Sequence, residues 1–135
     1  MTVQQIMSAQ PITIGPEATL PQILQIFSQY QFRHLLVLEH NRLVGVITDR
    51  DIRRALPSTA TSLAKWEIPA LLEKISAKEL MHTPVHTVLE NAPISYAAEQ
   101  MLKHNISCLP VMDGDKLKGI ITSSDLLRFL ADTQN

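Results

Sequence analysis

"GVITDRDIRRAL", Gly45 to Leu56, returns farther down the chain as "GIITSSDLLRFL", Gly119 to Leu130. Glycine, threonine, aspartate and the final arginine-x-leucine stand in both, while Asp49, Arg50 and Arg53 give way to Ser123, Ser124 and Leu127. Working outward at the same offset, Met7–Leu56 aligns without a gap on Met81–Leu130, and 12 of the 50 aligned positions are identical. A match of that length is the repetition of a whole folding unit, so the chain divides into a first repeat (1–57), a connector (58–75) and a second repeat (76–135).

Both copies show the same run of periodicities. "PITI" and "VHTV" are short, β-branched and extended, and each leads into turn residues, Gly15-Pro16 or Asn91-Ala92-Pro93. Leu20, Ile23, Leu24 and Phe27 then fall on one helical face, matched by Ile94, Ala97, Ala98 and Met101, with Thr19 and Gln22 spaced as a capping box. "HLLVLEHNRLVGVIT" and "CLPVMDGDKLKGIIT" read as strand, turn, strand, and a short amphipathic helix closes each copy. The expected fold class is α/β (α+β): two β-α-β-β-α repeats packed as a pseudo-two-fold pair, since one such unit alone buries too little apolar surface. In the connector, "KWEIPALLEKI" reads as a short helix around Pro69, with Trp66 covering the joint.

Composition narrows the function. A formal net charge of −1 over 135 residues offers no electrostatic footprint for nucleic acid. The single Cys108 permits no internal disulfide and suits a reducing compartment, and no apolar run reaches the roughly 18 residues of a membrane span. The expectation is a cytoplasmic protein without membrane or nucleic-acid partners. No phosphate-binding glycine loop, dinucleotide fingerprint or nucleophile elbow is present, so an enzyme is not expected and no catalytic cofactor is called for. Of the five histidines only His82 and His86 have the i, i+4 spacing of a metal site, and they fall across a proline and a strand start, so scattered surface histidines are expected; Cys108, in an apolar strand, reads as a buried thiol.

Arginine is unevenly placed: Arg33, Arg42, Arg50, Arg53 and Arg54 all lie in the first repeat, and only Arg128 in the second. At the repeated junction, Thr48 and Asp51, like Thr122 and Asp125, stand three apart where a strand meets a helix. A carboxylate there can accept both hydroxyls of a ribose diol. The same spacing is that of a helix capping box, which needs no ligand, and both roles can coexist. Gly45 and Gly119, in the second strand of each hairpin, leave room for a backbone or a flat ligand to approach.

The doubled β-α-β-β-α unit, its "LPVMD" strand and its "GVITDRD" and "GIITSSD" junctions resemble the cystathionine beta-synthase (CBS) domain pair, or Bateman module. The first half, with "RHLLVLE" and "GVITDRDIRRALPS", is also similar to the CBS portion of acetoin-utilisation-type proteins. The resemblance implies a regulatory module that binds an adenine nucleotide (AMP, ADP or ATP), or S-adenosylmethionine, in clefts between the repeats, signals occupancy to a partner protein, and forms a homodimer. It assigns Thr48, Asp51, Thr122 and Asp125 to ribose. Arg33 and His34 stand where the family carries a His-Arg pair on phosphate, here in reversed order; Arg50 and Arg53 add guanidinium forks suited to the same oxygens. Ile12, Ile14, Val46, Val88 and Ile120 are the candidate apolar lining for adenine. The second repeat has Ser107-Cys108 in place of Arg33-His34 and Ser124 in place of Arg50, so its site is expected to hold phosphate poorly. The competing reading is a structural or oligomerisation module in which the Thr/Asp pairs are caps alone.

Overall fold

The computed structural model describes residues 1–9, 11–30, 34–55 and 72–133. Most of the connector, Trp66 included, lies outside these residues; of the expected connector helix only its end is described, where Leu72 and Glu73 are helical and Leu72 and Ile75 pack against the first core. Within them the chain runs α1 (Val3–Ile6), β1 (Ser8–Ala9), β2 (Thr13–Ile14), α2 (Leu20–Tyr30), β3 (His34–Glu39), β4 (Arg42–Thr48) and α3 (Asp49–Ala55). It continues with α4 (Ala77–Leu80), β5 (Val88–Leu89), α5 (Ile94–His104), β6 (Cys108–Asp113), β7 (Lys116–Thr122) and α6 (Ser123–Thr133). The expected β-α-β-β-α order is present twice, each time preceded by a one-turn helix that the sequence pattern did not announce.

Two compact units result, residues 12–85, and residues 1–11 together with 86–135. In the first, β2 lies parallel to β3, and β3 pairs antiparallel with β4 through a two-residue turn in which His40 and Asn41 both take positive φ. Alternate residues of β3, Leu35 and Val37, enter a core with Leu20 and Ile23 from α2, Ile47 from β4 and Ile52 from α3. In the second unit, β5 and β6 are parallel and β6 and β7 antiparallel, and Leu109, Val111 and Ile121 pack with Ala97 and Met101 of α5. Here Gly114 at φ 60 carries the turn. Each hairpin has its register shift at the same aligned place, after Val37 and after Val111, next to the repeated glycine.

The leading segments change places. Val3 of α1 is fully buried in the core with Val88, Leu109 and Ile121, while Ala77 and Leu80 of α4 complete the core around Leu20 and Leu35. Backbone bonds fix both docks at aligned positions: Val3 N–H to the Ala92 carbonyl at 2.8 Å, and Ala77 N–H to the Ala18 carbonyl at 2.7 Å. Each short helix starts on a hydroxyl residue, Thr2 or Ser76, with Gln5 or Glu79 three residues on. Such brief helices are held by tertiary burial, not by their own propensity.

The residues just past these helices lie against the repeated glycines. β1 pairs antiparallel with β7, Ala9 opposite Gly119, and a Cβ on Gly119 would lie 2.5 Å from the Ser8 carbonyl oxygen. His82 makes the matching bridge to Val46, with N–H donated to the Val46 carbonyl at 3.0 Å, and the Met81 side chain lies against Gly45. The room left by each glycine is thus filled by the protein itself.

Candidate functional site

The two junctions can be built from the end of the hairpin. β4 delivers Thr48 to the first turn of α3, where the helix amides are unpaired and a side-chain acceptor is needed. Asp51 supplies it: its Oδ2 accepts the Thr48 N–H at 2.8 Å and the Thr48 hydroxyl at 3.1 Å, and the Asp51 N–H donates to Thr48 Oγ1 at 3.3 Å. β7 repeats this with Thr122 and Asp125, at 2.8, 3.0 and 3.2 Å. The reciprocal cap therefore exists in both copies. It occupies one carboxylate oxygen in each, and the fate of the other oxygen separates them.

At the first junction, His82 Nδ1 lies 2.9 Å from the same Asp51 Oδ2, so Oδ2 gathers three contacts. Among the described residues nothing donates to Asp51 Oδ1, and the side chain keeps 14% of its surface in water. At the second, Arg128 donates from NH1 to Asp125 Oδ1 at 3.1 Å, and that side chain is only 7% exposed. Arg54 stands at the aligned position but makes no hydrogen bond or ion pair among the described residues.

The residues expected to meet phosphate are dispersed along this edge. His34 opens β3 directly across from Thr48 in the strand register, and Cys108 faces Thr122 in the same way. Arg50 is exposed on α3, without a hydrogen bond or ion pair among the described residues, and Arg53 reaches Asp49 at 3.6 Å. Both sides of that pair are largely hydrated, so it holds the guanidinium loosely. Arg33 lies outside the described residues.

Of the adenine candidates, Ile12 and Ile14 are half-buried against the first core, and Val88 is buried within the second. Val46 is buried with its backbone committed to His82, and Ile120 is half-buried opposite Ser8. The strands bearing Ile14 and Val88 are edge strands, with order β2-β3-β4 in one sheet and β1-β7-β6-β5 in the other. An edge strand has unpaired amides and carbonyls to offer a planar base.

Two contacts at the junctions escaped the sequence. His82 belongs to the second repeat by sequence yet meets the first repeat's aspartate, which the repeat offset alone cannot show. Arg128 is three residues past Asp125, a visible helical spacing, but Arg54 has the same spacing and behaves differently.

His86 is not paired with His82. It stacks on His104, with ring centroids 3.7 Å apart and planes at 14°. Partial burial of its ring, then the charges of His86 and Lys103, hold His104 below the ordinary histidine range. The folded protein therefore takes up this proton less readily than the unfolded chain, whose reference value is 6.5. Stability from the stack is present above that value and is lost as pH falls below it toward the depressed folded value. Thermal melts from pH 7.5 to 5 are expected to show a downward slope in midpoint that His104→Gln flattens.

Among the described residues no group of three or more His, Cys, Asp or Glu could hold a metal ion, and no helix is long and apolar enough to cross a membrane. Comparison with known proteins agrees with the geometry. The chain is 34% identical over 128 residues to the L-aspartate semialdehyde sulfurtransferase of Methanocaldococcus jannaschii, covering 93% of this chain but 22% of that enzyme. The first curated relatives thus extend well beyond the matched segment, and the similarity concerns a part of them. The CBS domain pair of protein MJ0100, solved in complex with 5′-methylthioadenosine and S-adenosyl-L-methionine, superposes with a TM-score of 0.81 at 30% identity, covering 98% of both chains. A Vibrio cholerae structure described as an acetoin utilization protein gives 0.80 at 30% identity, over 99% of this chain and 93% of that one. The CBS domain family matches residues 3–58 and 77–132, the two sequence repeats. With both repeats matched, and with the fold and capped junctions duplicated, the chain belongs to the CBS domain family as a tandem pair.

Proposed function

We propose that the chain is a regulatory CBS pair that binds an adenosine-containing ligand and conveys its occupancy to a partner protein. The observation that carries this is the Asp51 carboxylate: one oxygen completes the helix cap, and the other is held at the junction with no donor among the described residues. A ribose diol offers two hydroxyl donors to such an acceptor, and the helix N-terminus adds amides for a further oxygen. Thr48 and Asp51, with Thr122 and Asp125, are the ribose residues of this reading. The MJ0100 pair, complexed with two adenosine compounds, supports it.

In this reading the first repeat favours a phosphorylated ligand of the AMP, ADP or ATP class, because His34 lies across from Thr48, Arg50 and Arg53 stand on the helix that bears Asp51, and Arg33 adds a further guanidinium to the sequence of this repeat. Ile12, Ile14 and Val46, and in the other unit Val88 and Ile120, supply apolar surface for the base. Energy sensing follows if the mono- and triphosphates bind unequally. The alternative of S-adenosylmethionine draws on the second repeat, where Ser107, Cys108 and Ser124 stand in place of Arg33, His34 and Arg50, so that fewer cations face a sulfonium and Arg128 is already paired with Asp125. Ligand binding can switch a partner only to the extent that it favours one arrangement of the protein over another.

Thermal unfolding with AMP, ADP, ATP and S-adenosylmethionine tests the reading. A true ligand at a hundred times its dissociation constant stabilises by about 2.7 kcal/mol. A nucleotide is expected to give the largest rise in midpoint. No rise with any of the four would leave an oligomerisation module as the better account.

A further inference from the structure

We infer that Arg128 is an internal occupant of the second junction, a specificity-determining side chain that holds Asp125 closed to an uncharged adenosine ligand and leaves Asp51 as the first site to fill. This rests on the ribose reading above. Sequence accounts for unequal phosphate affinity through missing cations; the structure adds a separate inequality that acts on the ribose itself.

The two aspartates are capped alike and differ in what remains. Asp125 has both oxygens engaged, Oδ2 by the Thr122 N–H and hydroxyl and Oδ1 by Arg128 at 3.1 Å. Among the described residues, Asp51 has its three contacts on Oδ2 alone. A diol approaching Asp125 must compete with the guanidinium for Oδ1, whereas one approaching Asp51 meets an Oδ1 to which no described residue donates. The strength of this obstacle depends on its two ends. The carboxylate is 7% exposed, so the bond is made to a charge largely out of water, but the arginine is 67% exposed and can swing into solvent. The obstacle is therefore moderate, about tenfold in affinity, near the lower end for a hydrogen bond to a charged group. Arg54 cannot be assigned the same part, since it does not contact Asp51 among the described residues.

Isothermal titration with 5′-methylthioadenosine, which carries no phosphate to recruit the arginine elsewhere, tests the inference. The wild-type chain is expected to show one dominant site that Asp51→Asn removes. Arg128→Met is expected to add a second site. Asp51→Asn/Arg128→Met is expected to bind one equivalent about tenfold more tightly than Asp51→Asn alone, a gain that a merely structural ion pair would not produce. Arg128→Gln repeats the test if the Met variant does not fold. Two equal sites in the wild-type protein, or equal binding by the single and double Asp51 variants, overturns the role of Arg128 and leaves the ribose reading standing. No binding by any of these proteins overturns the ribose reading, and this inference with it.

Discussion

Asp51→Asn is expected to lower affinity for the preferred adenosine ligand about a hundredfold while moving the unfolding midpoint little. In the ribose reading proposed above the two effects separate, because the cap uses one carboxylate oxygen and the ligand the other. Capping needs one acceptor for the Thr48 N–H, now 2.8 Å from Oδ2, and the asparagine carbonyl oxygen can serve there. That choice turns the amide nitrogen to where Oδ1 stood, placing donors against ribose hydroxyls and removing the charge that strengthens their bonds. Hydrogen bonds to charged groups are worth about 1.5–3 kcal/mol, and about 1.4 kcal/mol is tenfold. Asp49→Asn, the same chemical change two residues earlier and paired among the described residues only with exposed Arg53, is expected to alter affinity less than about twofold. Titration calorimetry and thermal melts of both variants decide the matter; unaltered affinity in Asp51→Asn would confine Asp51 to its capping role.

Gly119→Ala is expected to destabilise the protein by about 3 kcal/mol, with a relief pattern unlike that of Gly45→Ala. Overpacking a fitted site costs about 1–3 kcal/mol, and here the first obstacle is main chain. A new methyl would meet the Ser8 carbonyl oxygen at 2.5 Å and Met7 Sδ at 2.9 Å, so room is made only by lifting β1 from β7. At Gly45 the nearest atoms all belong to the Met81 side chain, with Cγ at 2.6 Å and Cβ at 2.8 Å. Met81→Ala should therefore recover at least about 1 kcal/mol of the Gly45→Ala loss, whereas Met7→Ala should couple to Gly119→Ala by no more than about 0.5 kcal/mol. Denaturant unfolding of the two double-mutant cycles measures both couplings. Equal relief in the two cycles would mean that β1 yields as readily as a methionine side chain.

The elements were legible where a pattern ran long enough to show its period. Leu20, Ile23, Leu24 and Phe27 predict α2, Gln22 does reach back to the Thr19 N–H at 2.9 Å, and the paired hairpins are dictated by alternation and turn residues. The leading segments were not legible, because four residues such as Val3–Ile6 or Ala77–Leu80 are too few to display a period, and their partners lie far off in sequence. The spacing of Thr48 and Asp51 left cap and ligand contact as alternatives; the geometry shows one oxygen in the cap and the other outside it. His82 could not be connected to Asp51 by any local rule, since it arrives through the exchange of leading segments. Likewise, spacing alone treats Arg54 and Arg128 as equivalents, and only their contacts distinguish them.

That exchange bears on descent as well as on folding. The portion that was duplicated is not the portion that folds: residues 1–11 complete the unit formed by 86–135, and Ala77 and Leu80 complete the unit formed by 12–85. An ancestor with a single repeat would have had an unfilled core and an uncovered strand beside its glycine. It could have closed both by lending its first residues to a second copy and receiving that copy's in return, an interlocked homodimer by reciprocal exchange. Fusion of two such copies into one chain would then change the connectivity and keep each leading segment in the core that it fills here.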